Sequence, residues 1–510
     1  MRIIAVDIGT SALKAALFNA EKFSTEAYNK LDIGLFTPKP GYVELKPEEL
    51  WEALVKVVHD LINEASIDAH SIEAIVMDTQ MAGVVAIDKD GTPLTNILTW
   101  LDSRAAGHPR KLFEGSPKVS GYNLLPLTRL LRISGGAPGK LGKDPLSKYA
   151  WLMDEQPDIY AKTWKFLDVK GYLLHRMTSK TVITVDEASI TWLADTRNPE
   201  DVKWSRELIE SFGLDKEKLP EIVKVTEVIG SLTTDAAKEL NLQQHVKVVA
   251  GCGDVPATAI GSGGVEDFEV HLYIGTGNWF ASHVPERRLD VAHYMGCILS
   301  AIPSRYLLVA EQQTGAIAID YVSKLLGYSS YIEVDEDAAK VADEGSWIIF
   351  LPWLSGERSP VEDPSLRAAL VNIPLGADRK ELIYAVIEGL TLNMKWEFQY
   401  FERLLGKKVD TVFVVGGGSL YNTLCRALAN ALEVKIVRVA GAREATLLGA
   451  IVTGLVAKGY SDFNIAKRIS NVERVFEPEP RIIESYRRKF KVFLELYENL
   501  KGIYGTLNQS

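Results

Sequence analysis

The chain has 510 residues, which is room for two large domains or three ordinary ones. Hydrophobic residues make up 47% and charged residues 24%, proportions that exclude a disordered polyelectrolyte. The 39 glycines and 21 prolines are too few for a collagenous or low-complexity chain. A net charge of −10 argues against a nucleic-acid binder, which needs clustered Lys and Arg. Three scattered cysteines make no disulfide framework, and no apolar run approaches the ~18 residues that span a bilayer. The N-terminus lacks the pattern of a signal peptide. The expectation is a cytoplasmic enzyme with no nucleic-acid or membrane partner.

In chain order, Ile3–Val6 and Leu13–Phe18 read as a β-hairpin around Asp7-Ile8-Gly9-Thr10-Ser11. A third extended run covers Thr25–Leu31. Leu50, Leu54, Val57, Val58 and Leu61 share one face of a helix predicted over Pro47–Ala65. Ile72–Met77 reads as a strand. Residues 112–244 are mixed, and their Gly- and Lys-rich stretch 134–143 reads as a solvated loop. The strand pattern resumes at Val246–Ala250. A second hairpin follows, with Leu272-Tyr273-Ile274-Gly275-Thr276-Gly277 at its turn and Phe280–Val284 after it; then come an extended run, Tyr306–Ala310, and a helix, Gly315–Leu326. Later elements are a helix over 380–405, a strand over 411–415 leading into Gly416-Gly417-Gly418, and a helix over 421–432. A strand over 434–439, a helix over 444–458 and a helical tail over 482–504 complete the chain. Alternating strands and helices predict an α/β fold. Ile-Gly-Thr recurs at the same kind of turn within the same β-β-β-α order, which points to two related halves. The division expected is 1–247, 248–460 and a C-terminal helical extension, 461–510, packed on the second domain.

Several segments suit chemistry. Each Gly-Thr turn offers backbone N–H groups and a hydroxyl to phosphate, although a plain hairpin also uses Gly there. Asp7 can hold Mg²⁺ through water, and Lys14 can neutralise phosphate charge. Gly416-Gly417-Gly418 lets a ligand approach the backbone at a strand-to-helix turn, yet neither G-x-G-x-x-G nor a P-loop motif is present. Asp254, in Gly251-Cys252-Gly253-Asp254, is a carboxylate at a strand end that reads equally as a helix cap. Trp100-Leu101-Asp102-Ser103-Arg104, with Gln80-Met81-Ala82-Gly83, suits a polyhydroxy ligand, and reads equally as a surface ion pair beside a core Trp. Glu357-Arg358 reads as loop structure rather than a glycosidase carboxylate pair.

Together these segments resemble the FGGY family of carbohydrate kinases, most of all its xylulokinase branch. The resemblance is carried by DIGTSALK (7–14), QMAG (80–83), ILTWLDSR (97–104), GCGDVPATAIG (251–261) and YIGTGNW (273–279). FLPWLSGERSP (350–360), IEGLTL (387–392), VVGGGSLYN (414–422) and LLGA (447–450) complete it. It implies two actin-like (ribonuclease H-like) domains around a central cleft, with sugar and Mg·ATP as ligands. Thr10, Ser11 and Lys14 resemble the first phosphate loop, and Gly275 and Thr276 the second. Gly315 matches the residue opening the helix near the nucleotide, and Gly418 and Asn422 resemble the adenosine pair. Asp254 matches the general base. Gln80, Met81, Ala82, Trp100, Asp102 and Arg104 fall where the sugar pocket is expected. The branch usually reads Q-M-H-G and has a polar residue after the base Asp, where this chain has Ala82 and Val255; that departure puts D-xylulose in doubt. The expected activity is transfer of the γ-phosphate of ATP to a pentulose. Glycerol, gluconate, ribulose or an actin/Hsp70-like nucleotide switch are the alternatives, and a homodimer is left open.

Overall fold

The computed structural model describes residues 1–343 and 345–508. They form two compact units. The first is Met1–Gly261 with Ile298–Tyr306 and Thr446–Ala466; the second is Ser262–Cys297 with Leu307–Ala445 and the chain from Lys467 on.

The first unit is built on a six-stranded sheet. Its strands are β1 (Arg2–Ile8), β2 (Ala12–Asn19), β3 (Ser24–Asp32), β4 (Ile72–Thr79), β5 (Val228–Ser231) and β6 (Lys247–Gly253), in the order β5-β6-β4-β1-β2-β3. β1, β4 and β6 run parallel, and their near-continuous Ile, Val and Ala runs are buried on both faces, as parallel strands require. Helix α1 (Pro47–Ala65) starts with Pro in its first turn and Glu48 and Glu49 near the positive end of its dipole. It buries Leu50, Leu54, Val57, Val58 and Leu61, each worth about 1.5–3 kcal/mol of transfer free energy. Residues between β4 and β6 form a satellite core around Val84, Leu130, Tyr149, Phe166 and Phe212. That region contributes α2 (Pro145–Glu155) and α3 (Val185–Ile190). Helix α4 (Asp254–Gly261) follows β6 directly. The late helix Ala445–Ala457 returns to this unit, where Gly449 lies against the Ala257 backbone and Gly454 against Ile3 and Val76.

Lys247–Gly253, where the sequence reading puts the change of domain, is hydrogen-bonded to β4 within the first sheet. The stretch 134–143 meets the expectation of a solvated loop only in part: Lys140 and Leu141 are exposed. Pro138 and Gly142 are buried, and a Cβ at Gly142 would strike the Ala105–Ala106 peptide.

The second unit carries an eight-stranded sheet. Its strands are β7 (Val270–Ile274), β8 (Asn278–Val284), β9 (Leu289–Asp290), β10 (Met295–Leu299), β11 (Tyr306–Gln312), β12 (Thr411–Val415), β13 (Lys435–Val439) and β14 (Val472–Phe476), in the order β9-β10-β11-β8-β7-β12-β13-β14. The run β11-β8-β7-β12-β13 repeats the order β3-β2-β1-β4-β6 of the first unit, antiparallel hairpin first and two parallel strands after it. Its helices include α5 (Ile317–Leu325), α6 (Arg379–Leu405), α7 (Asn422–Leu432) and α8 (Pro480–Leu507). Asp378 and Glu381 close a capping box at the start of α6, and Gly406 ends it in the left-handed conformation. α8 packs Phe493 and Tyr497 on Trp353, and its buried Lys489 pairs with Glu388 of α6 at 2.7 Å.

Candidate active site

In the first unit, register alone brings the candidate residues together. Asp7 lies beside Asp78 on β4 and opposite Lys14 on β2, while Thr79 at the end of β4 lies beside Gly253 at the end of β6. The hairpin tip, Gln80 and Asp254 thus emerge at the carboxyl ends of adjacent strands, where open α/β sheets bind ligands. A bulge in β6 sets the last step: Val249 pairs with Val76 but Cys252 with Asp78. Gly251 occupies it at φ +71°, and a Cβ there would strike the Met77 carbonyl. The bulge turns the chain so that Asp254 is the first residue of α4, with Oδ1 accepting from Val255 N–H at 2.9 Å. Gly253 supports the Met81 side chain, whose space a Cβ would take.

The electrostatics are those of crowded carboxylates. Burial first, and then the charges of Asp7 and Asp254, push Asp78 well above the usual carboxylate range. Both Asp78 oxygens lack a hydrogen-bond partner among the described residues. Asp7 Oδ2 meets Lys14 Nζ at 3.2 Å and accepts from the Thr446 hydroxyl at 3.0 Å. A carboxylate such as that of Asp7 suits a divalent cation held through water.

The acceptor segments are tied in from several sides. Gln80 N–H donates to Ile8 O at 2.8 Å and Gln80 Nε2 to Gly9 O at 3.3 Å, so its buried Oε1 is an acceptor without a partner among the described residues. Trp100 Nε1 donates to Thr10 Oγ1 at 2.9 Å. Ala82 holds φ +62°, unusual for a residue with a Cβ. Its carbonyl accepts from Lys148 Nζ at 2.7 Å, and the same ammonium donates to Thr99 O at 2.8 Å. Burial lowers the Lys148 ammonium to about 7.

Asp102 and Arg104 face inward. Asp102 is fully buried and accepts from Val43 N–H at 2.8 Å and from Arg104; Arg104 also pairs with Glu44 and stacks on Tyr42 at 3.8 Å. The pair staples the 41–44 loop to the Trp100 segment. Sequence reasoning missed Lys148, Asp186 and Glu187. Asp186 Oδ2 accepts from Gly253 N–H at 2.6 Å, next to Asp254, and Glu187 Oε2 from Ala82 N–H at 3.4 Å. Burial, with Asp168 nearby, pushes Glu187 well up; burial would lower Lys170, but Asp186, Asp168 and Glu187 outweigh it and raise it. The signal in the sequence was a run of charges, Val185-Asp186-Glu187-Ala188, inside an apolar stretch.

In the second unit the β7–β8 turn is packed by glycines. Gly315 N–H donates to Thr276 O and Ala316 N–H to Gly275 O, both at 2.7 Å. A Cβ at Gly315 would strike Gly277 and Gly275, and one at Gly418 would strike Ile274. Asn422 opens α7 with its side chain engaged: Nδ2 donates to Asp335 at 3.0 Å, and Oδ1 accepts from Arg438 at 3.2 Å and Arg474 at 2.9 Å. Glu357 does more than shape its loop. It is buried, accepts from Gln313 N–H at 2.8 Å and Asn393 Nδ2 at 2.7 Å, and is pushed up to about 7 by burial. It fixes the chain that runs through Thr314 to Gly315.

Two duplicated sheets of this order, each with a glycine-bearing hairpin at its centre, define a two-domain ribonuclease H-like, or actin-like, fold. Models of the FGGY family of carbohydrate kinases match the chain over residues 2–261, by the N-terminal domain, and over 285–458, by the C-terminal domain. The chain belongs to this family. It is a sugar kinase, a phosphotransferase with an alcohol acceptor, which sets aside the nucleotide-switch alternative. Xylulose kinase of Bacillus subtilis (strain 168) is 24% identical over 509 residues, covering 99% of this chain and 98% of that protein. Gluconokinase of Bacillus licheniformis is 23% identical over 514 residues, covering 98% and 96%. The crystal structure of gluconate kinase from Lactobacillus acidophilus superposes with a TM-score of 0.86 at 24% identity, covering 99% of each chain. No helix among the described residues is long and apolar enough to cross a membrane.

Proposed function

We propose that the protein transfers the γ-phosphate of ATP to a hydroxyl of a small sugar, a pentulose in the first instance. The observation that carries this reading is the unpartnered, buried Gln80 Oε1 beside the ends of β1, β4 and β6, with Met81 resting on Gly253 next to Asp254. A buried acceptor with no donor is costly alone and is satisfied by a substrate hydroxyl. In this reading Gln80, Met81, Ala82 and Trp100 line the acceptor pocket, and Asp102 and Arg104 hold its wall from behind. Asp254 aligns the acceptor hydroxyl and takes its proton as the oxygen bonds to the γ-phosphorus and the bond to ADP breaks. Thr10, Ser11 and Lys14 on the first hairpin, and Gly275 and Thr276 on the second, receive phosphates, with N–H groups, hydroxyls and one ammonium neutralising charge. Gly315, Gly418 and Asn422 belong to the nucleoside side, Gly418 and Asn422 through their backbone, since the Asn422 amide is already committed. Asp7 would hold Mg²⁺ through water, and the ion would supply charge neutralisation at the phosphates.

Ala82 and Val255 bring no hydrogen-bonding side chain to the pocket. Each lost polar partner costs on the order of 1–3 kcal/mol, so D-xylulose is expected to turn over poorly. A coupled ADP-release screen over pentuloses, hexuloses, polyols and sugar acids tests the reading. D-xylulose as the best of all acceptors would refute the specificity argument, and no sugar-dependent ADP release would refute the reading. A sugar-acid acceptor is the second reading, supported by the Lys143 ammonium 5.9 Å from the Trp100 ring. The screen separates the two.

A further inference from the structure

We infer that Trp100, placed in the acceptor segment, is also a positioning residue for the phosphate donor, because its indole N–H fixes the Thr10 hydroxyl on the first hairpin. The inference rests on the reading of Thr10 as a phosphate ligand. The Trp100 Nε1 to Thr10 Oγ1 hydrogen bond is 2.9 Å long. An indole N–H can only donate, so the hydroxyl oxygen must accept. The single hydroxyl proton is then left for another acceptor, and phosphate oxygens are acceptors. Without the indole, the hydroxyl is free to rotate.

The surroundings make this a built arrangement. The hairpin tip closes on itself through Gly9 N–H to Ala12 O at 3.0 Å. Gln80, from the other acceptor segment, grips the same tip at Ile8 O and Gly9 O. Lys148 joins the two acceptor segments through Ala82 O and Thr99 O, one residue before Trp100. The hairpin, Gln80–Ala82, Lys148 and Thr99–Trp100 thus form a closed loop of hydrogen bonds. A ligand that restrains Trp100 restrains Thr10 as well.

A double-mutant cycle on the full-length protein reads the coupling. Trp100→Phe keeps a ring and removes the donor, Thr10→Val removes the hydroxyl, and Thr10→Ser restores it. The dissociation constant of a non-hydrolysable Mg·ATP analogue is measured by calorimetry without sugar, together with the KM for ATP in turnover. Loss of one neutral hydrogen bond amounts to about fivefold. Trp100→Phe is expected to weaken nucleotide binding about fivefold in the wild-type and Thr10→Ser backgrounds. In the Thr10→Val background it should have no further effect. Unchanged nucleotide affinity in Trp100→Phe, or effects of the two substitutions that simply multiply, overturns the inference. Unchanged affinity in Thr10→Val alone overturns the phosphate role of Thr10, and the inference with it. A role of Trp100 in packing alone would lower the melting temperature and leave the cycle additive.

Discussion

Asp254 is where the strand order, the β6 bulge and the start of α4 converge, and it carries the firmest prediction. Asp254→Asn keeps shape but cannot take a proton, so kcat should fall by ~10²–10⁴ with little change in ATP affinity. A folded mutant retaining more than about a tenth of wild-type kcat would remove Asp254 from the role of base. Lys148 gives the second. Its ammonium holds the positive-φ peptide of Ala82 against Thr99, so Lys148→Met should raise the KM for the sugar about tenfold or more, consistent with ~1–3 kcal/mol for each partner left unpaired. The KM for ATP should move far less, and equal changes in both constants would count against it. Asp254 was legible because Gly-x-Gly-Asp at the end of an apolar run announces a strand end. Lys148 was not, because a lysine on an amphipathic helix is ordinarily solvated. Its full burial comes from segments far away in sequence. For Asp102 and Arg104 the sequence shows residue types suited to a sugar pocket, but not their partners Val43, Glu44 and Tyr42, which come from a loop about 60 residues away.

Elements were easier to read than side chains. The two hairpins, α1, α6 and β12 lie where apolar spacing puts them, because burial of one face and the capping residues act locally. The bulge in β6 was invisible, since it depends on the register with β4 and on contacts to Val225 and Glu227. It is also fragile. Gly251→Ala meets the Met77 carbonyl and carries ~1–2 kcal/mol of left-handed strain besides, so the strand end must shift. The expected outcome is a melting temperature lower by several degrees and a kcat reduced beyond what the unfolded fraction explains. Wild-type values for both would mean that the bulge does not aim Asp254.

At the scale of the whole molecule, stability should depend on acidity through His271 in β7. It is fully buried, both ring nitrogens lack partners among the described residues, and burial lowers it to about 3. The unfolded chain takes up this proton below its ordinary value of about 6.5, and the folded chain refuses it until about 3. Stability is therefore whole above 6.5 and falls as pH drops through that window, by about 1.4 kcal/mol for each pH unit. His271→Leu should flatten the decline in melting temperature between pH 6.5 and 4. Parallel curves for mutant and wild type would exonerate His271. The return of Ala445–Ala457 to the first unit has a different consequence, one of order in time. On the ribosome the first sheet emerges early, but the helix that covers Ile3 and Val76 through Gly454 is made only after most of the second unit. At about 5–20 residues per second, the nascent first unit waits on the order of ten seconds or more with that apolar face unfinished. Such a chain is a natural client for holding chaperones, and a message truncated before residue 445 should yield insoluble product.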